Sequence, residues 1–179
     1  MAQNQTLTIL SSLGPNDQWG IWVGGKFLTP PSGSANNVYW FVVTDRTNLN
    51  VVLNVFQSSN DTVPSAITQK YDSDQYLLYV VSLNLVTMNY PQGALFDFLI
   101  SHGGGSQLRR LAQAVTDLNC GQMANVGYAL VSLLGESDKG LDRCALWTNP
   151  PDPAPLFTLQ LMPVDVDGTT YWTPITLPE

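Results

Sequence analysis

The chain has 179 residues, enough for one domain with its own core, and only 12% of them are charged against 44% hydrophobic. The net charge of −7, with Lys and Arg numbering 7 in all, leaves no basic stripe for a phosphate backbone, which argues against a nucleic-acid partner. No apolar run approaches the roughly 18 to 20 residues of a membrane span, and the opening MAQNQTLTIL lacks the basic-then-apolar layout of a signal peptide. The expectation is a soluble chain, cytoplasmic or exported by a non-classical route.

Residues 6 to 57 read as strands. TLTILSSL, WGIWVG, VYWFVVT and LNVVLNVF are short, rich in β-branched and aromatic residues, and separated by Gly, Pro and Asn clusters. In VYWFVV both alternating faces are apolar, with Tyr39, Phe41 and Val43 on one and Val38, Trp40 and Val42 on the other. That pattern suits a central strand covered on both sides. TDRTN at 44–48 is a turn into the next strand. After a polar loop around Pro64, YLLYVVSLNL at 76–85 is a further strand.

Two short helices follow, over about 92–101 and 106–119. The second places Leu108, Leu111, Ala112, Val115 and Leu118 on one stripe, with Ser106 as its N-cap and Gly121 ending it after Asn119 and Cys120. VGYALVSLL at 126–134 returns to strand. The Pro-rich TNPPDPAP, 148–155, is an extended loop leading to a C-terminal β-hairpin. That hairpin is formed by LFTLQLM and TYWTPITL around Asp167-Gly168, with a connection of several residues. No internal repeat or linker divides the chain, so 1–179 reads as a single globular domain. The fold class is α+β: a mostly antiparallel, sandwich-like sheet body with two short helices packed on it.

SHGGGSQLRR at 101–110 contains the His-Gly-Gly-Gly spelling of an esterase oxyanion loop. No Gly-x-Ser-x-Gly nucleophile elbow accompanies it; Gly135-Glu136-Ser137-Asp138-Lys139 lacks the second glycine, and His102 is the only histidine. The spacing also fails as a dinucleotide or phosphate loop. The glycines read instead as a corner between two helices, with Arg109 and Arg110 as a residual anion site at the second helix's N-terminus.

Asp165-Val166-Asp167-Gly168 opens like a calcium loop but lacks the closing Glu, and reads as a turn. Glu136, Asp138, Asp142 and Arg143 form the densest charge cluster and read as a solvated loop. Cys120 and Cys144 are too few for a zinc site and are candidates for one disulfide. No metal, cofactor or catalytic residue is called for.

The aromatic excess is the informative feature, because aromatic faces stack on sugars and anchor protein partners. Trp40 belongs to the core. Trp19, Trp22, Trp147 and Trp172 are the candidates for ligand contact.

Three stretches, IWVGGKFLTPP, VYWFVVTDRTNLNVVLNVFQSS and LRRLAQAVTDLNCGQMANVGYALVSLLGES, are similar in order and spelling to the interleukin-like EMT inducer (PANDER-like) domain, over about residues 20–137. The chain departs from that family at Ala35-Asn36-Asn37, where an Arg-Gly pair is common, and in its cysteine pattern. The resemblance implies a compact α+β recognition domain without catalytic residues. It also implies a carbohydrate site among exposed aromatics with amide neighbours, for which Trp19, Trp22, Trp147 and Asn149 are candidates.

The leading expectation is therefore a non-enzymatic module that binds a glycan or a protein surface. The alternative is a structural or assembly subunit of a homo- or hetero-oligomeric particle or toxin, suited to low charge and long apolar strands. Third comes a small hydrolase working through paired carboxylates.

Overall fold

A computed structural model describes residues 3–14, 16–117, 125–137, 139–146 and 154–175. In chain order the strands and helices are β1 (Gln5–Leu10), β2 (Gly20–Val23), β3 (Lys26–Phe27), β4 (Val38–Asp45), β5 (Val51–Gln57), β6 (Tyr76–Leu83), β7 (Leu85–Val86), α1 (Gly93–Ser101), α2 (Ser106–Asp117), β8 (Asn125–Leu133), β9 (Gly140–Leu146), β10 (Leu156–Val166) and β11 (Thr169–Pro174). A π-helical turn, Ile67–Tyr71, precedes β6. The fold is α+β and its sheets are antiparallel.

Three layers result. One sheet runs β11-β10-β1-β2-β3; the other runs β5-β4-β6-β8, with β9 on the far side of β8 and β7 pairing the start of β8. The second sheet is the middle layer. Its Trp40, Val42, Leu77, Tyr79, Val81 and Val131 face Leu7, Ile9, Ile21, Phe157, Leu159 and Leu161 of the first sheet. On its other face Tyr39, Phe41, Val80, Tyr128 and Leu130 pack against Leu95 and Leu99 of α1 and Leu108, Leu111 and Val115 of α2. The apolar doubling of VYWFVV therefore marks a strand buried on both sides, and the long apolar strands are covered within the chain itself.

The two sheets are pinned together at one end of the sandwich. Just past β1, Ser11 Oγ donates to the Ser82 carbonyl (2.7 Å), and Ser12 bridges to Leu83. Ser82 Oγ accepts the Tyr128 N–H at 2.7 Å, which interrupts the β6–β8 ladder. Asn84, at φ +47°, then lets the chain resume pairing as β7. These buried serines supply the hydrogen bonds that the broken ladder would otherwise leave unmade.

Four details differ from the sequence reading. GLDRCAL, part of a presumed solvated loop, is strand β9, and its Asp142 is only 7% exposed. Ser106 is not the N-cap but the first helical residue of α2, because the Gly105 carbonyl already accepts the Arg109 N–H. The connection between β10 and β11 is two residues rather than several, Asp167 (φ +48°) and Gly168 (φ +81°), the geometry whose twist matches its flanking strands. The 26–27 strand and the π-helical turn carry no periodic signal. The candidates Leu118, Asn119, Cys120, Gly121, Asp138, Trp147 and Asn149 and most of the Pro-rich loop lie outside the described residues, and with them the Cys120–Cys144 pairing.

Candidate functional site

Opposite the pinned end, the sandwich opens into a cleft of about 430 Å³ lined by Gln5, Val23, Lys26, Leu28, Asn48, Leu49, Asn50, Val51 and Trp172. Strand parity explains the lining. Ile21 and Val23 of β2 point inward, as does Trp172, which stands opposite Pro163 on β10. Val23, Leu28, Leu49 and Trp172 rest on the inter-sheet core and form an apolar floor. Gln5, Lys26, Asn48 and Asn50 give the rim amides and one ammonium.

The β4–β5 turn shapes one wall. Asp45 Oδ1 accepts the Thr47 N–H (2.7 Å), Asn48 Oδ1 accepts the Asn50 N–H (2.8 Å), and the Leu49 N–H donates to the Asp45 carbonyl (2.8 Å). Leu49 is thereby held at φ +60°, a conformation that costs a branched residue about 1–2 kcal/mol. Its packing on the core offsets that cost.

Arg46, in the same turn and 8% exposed, fixes the opposite wall. Its Nε donates to the Trp172 carbonyl (3.0 Å) and its Nη2 to Thr173 Oγ1 (2.8 Å), and Nη1 donates to the Asp74 carbonyl. The Trp172 N–H returns a bond to the Arg46 carbonyl at 2.8 Å. The guanidinium also lies 5.2 Å from the Tyr171 ring centroid. Burial draws the Arg46 pKa down from its ordinary value, with Asp74 opposing. Arg46 thus positions Trp172 from behind.

Of the other aromatic candidates, Trp19 is half-buried and stands edge-on to Trp40, 5.8 Å between centroids. Trp22 lies on the outer face of the first sheet, 5.4 Å from Phe27. Trp172 is the one of the three that lines the cleft. Reading tryptophans by their neighbours in sequence could not separate these cases, since β10–β11 pairing decides which way residue 172 points.

The glycine corner is a packing device. A Cβ on Gly103 would fall 2.4 Å from the Gly140 nitrogen, and one on Gly104 would fall 2.5 Å from the Leu99 oxygen. The N-terminus of α2 is capped by Asp142, whose Oδ2 accepts the Leu108 N–H at 3.1 Å. The seat proposed for an anion beside Arg109 and Arg110 is therefore filled by the chain's own carboxylate, and both arginines are exposed. Desolvation raises the Asp142 pKa, while the N–H groups of Leu108 and Gly105 pull it back. The charge cluster is divided: Asp142 caps the helix, and Glu136 lines a second cavity.

That second cavity, about 230 Å³, is lined by Asp72, Ser101, His102, Gly135, Glu136 and Ser137. Ser101 Oγ lies 3.1 Å from His102 Nδ1, and His102 Nε2 lies 3.9 Å from Asp72 Oδ1, which superficially suggests a nucleophile, base and orienting acid. The hydrogen bonds oppose it. The Phe98 carbonyl sits 2.8 Å from Nδ1, so that nitrogen carries a proton and cannot accept the serine's. The Ser101 hydroxyl itself donates to the same carbonyl at 2.8 Å. Serine activation is blocked on both counts. Among the described residues no His, Cys, Asp and Glu cluster could hold a metal ion.

Fold and cleft together define a class: a three-layer α+β sandwich whose open end presents an aromatic ring among amides. No family model matches the chain, and no curated protein matches it. Among the described residues no helix is long and apolar enough to cross a membrane.

Proposed function

We propose that this chain is a non-catalytic recognition module that takes a glycan in the open-end cleft. The observation that carries the reading is the juxtaposition of the Trp172 ring with Gln5, Asn48 and Asn50 around an apolar floor. A pyranose offers an apolar C–H face and a girdle of hydroxyls. The ring and the amides are the complements of those two features. The rigid support of Trp172 by Arg46 lowers the ordering cost of binding. The resemblance of residues 20–137 to interleukin-like EMT inducer domains implies a recognition domain of the same kind, although Gln5 and Trp172 lie outside the span it covers.

The test is a glycan array followed by titration calorimetry on the best ligand. Trp172→Ala and Asn48→Ala are each expected to weaken binding at least about tenfold, the equivalent of about 1.4 kcal/mol. Trp22→Ala, on the outer sheet face, is expected to leave it unchanged. Background signal across the array, or loss of binding through Trp22 rather than Trp172, would overturn the reading.

A further inference from the structure

The outer face of the five-stranded sheet has a composition that no cleft ligand explains. Strand parity points Leu7, Ile9, Phe157, Leu159 and Leu161 inward and turns Thr6, Thr8, Thr158, Gln160 and Met162 outward. No Asp, Glu, Lys or Arg occupies an outward position on any of these strands: Lys26 shares the inward parity of Val23, and Asp165 that of Leu161. Phe27, Leu156, Met162, Val164 and Val166 are all 39% exposed or more on this face, whereas the other large exposed hydrophobics, Val51, Val86 and Met88, lie elsewhere. Trp22 and Phe27 pack together at one side of it, tilted, with ring centroids 5.4 Å apart, over Gly20, where a Cβ would fall 2.6 Å from the Trp22 ring.

We infer that this face is where two copies of the chain meet, sheet against sheet. Charge favours that occupant. Each copy carries −7, so most surfaces brought together would set like charges against each other; the one charge that reaches this face is the Arg46 guanidinium, 8% exposed, at the β11 edge against Tyr171 and Thr173. A basic partner would be met by outward acids, and the face has none. The Thr8 and Thr158 hydroxyls, 3.1 Å apart at its centre, can each both donate and accept, which suits a self-complementary contact across a two-fold axis.

Size sets the strength. The strands shorten from eleven residues in β10 to four in β2 and two in β3, so at about 3.3 Å per residue and about 4.8 Å per strand the face covers roughly 450 Å² per copy. Two copies would bury roughly 900 Å², below the about 1,200 Å² of a stable specific interface and in the range of a transient one. The expected dimer is weak and reversible, and sheets stacked this way lie about 10 Å apart. Because the cleft is built from inward-parity residues, it stays open in the pair. The dimer would present two clefts, and a multivalent ligand would gain from both.

Sedimentation velocity over a concentration range from about 1 µM to about 1 mM tests this. The wild-type chain is expected to pass from monomer to dimer. Thr158→Lys and Val164→Lys, which set lysines against each other across the axis, are expected to weaken association at least about tenfold while leaving the thermal melt in place. Met88→Lys, off the face, is expected to change nothing. A monomer at every concentration overturns the inference, as does a dimer indifferent to Thr158→Lys and Val164→Lys. A monomer that binds neutral phosphatidylcholine vesicles through this face also overturns it, and gives the face to a lipid surface.

Discussion

Replacing the three glycines of the α1–α2 corner one at a time distinguishes a packing corner from a ligand-binding loop. At Gly103 (φ +87°) an alanine takes on a left-handed backbone at about 1–2 kcal/mol and a Cβ placed 2.4 Å from the Gly140 nitrogen and 2.5 Å from its Cα. Overpacking against backbone adds about 1–3 kcal/mol. The expected total is about 2–5 kcal/mol, a fall in Tm of roughly 4 to 20 °C for a chain of this size. Gly104→Ala meets the Leu99 carbonyl at 2.5 Å and the Tyr128 hydroxyl at 3.0 Å without a positive φ, for about 1–3 kcal/mol. At Gly105 the nearest atom is 3.9 Å away. That alanine meets no clash and is expected to cost no more than about 1 kcal/mol, the loss of glycine's advantage over alanine at a helix N-cap. Urea unfolding at constant m gives the three values directly. If Gly105→Ala cost as much as Gly103→Ala, or if all three were neutral, the steric account of this corner would be refuted.

Other expectations concern the polar groups that hold the layers together. Desolvation raises the Asp142 pKa above its ordinary value of 3.8, so the folded state favours the protonated form. The group's contribution to stability is complete below 3.8 and is lost as pH rises through the raised value. Asp142→Asn keeps an acceptor for the Leu108 N–H and is expected to flatten that part of the pH–stability curve, whereas Asp142→Ala loses the cap at about 1 kcal/mol. Chemical unfolding at a series of pH values checks both. Arg46→Met leaves the Trp172 and Asp74 carbonyls without their buried donor and is expected to cost about 2–4 kcal/mol. Arg46→Lys, which keeps the charge but not the fork, is expected to fold better than Arg46→Met and still bind the cleft ligand more weakly than the wild type. Tyr128 Oη is buried beside the Asp142 carboxyl and makes no hydrogen bond of full geometry among the described residues. Tyr128→Phe is therefore expected to be neutral or stabilising by up to about 1 kcal/mol in thermal denaturation.

The sequence by itself determined the local elements and the layer that VYWFVV must occupy, because β-branched and aromatic runs apolar on both alternating faces are stable only when covered twice. The amphipathic stripe of Leu108, Leu111 and Val115 likewise determined α2 and its buried side. Strand β9 escaped that reading. Its core-facing Asp142 breaks the apolar alternation, and the group that makes its burial tolerable is a helix N-terminus 34 residues away in sequence. The cleft was beyond local reading for a similar reason. Gln5, Asn48 and Trp172 come from strands and turns far apart in the chain, and they meet because β1 pairs with β10 and Arg46 ties β11 to the β4–β5 turn. Local periodicity reports which face of a strand is apolar. Only tertiary pairing decides whether that face is covered by the chain's own second sheet, opened into a cleft, or, as on the outside of β10, left exposed.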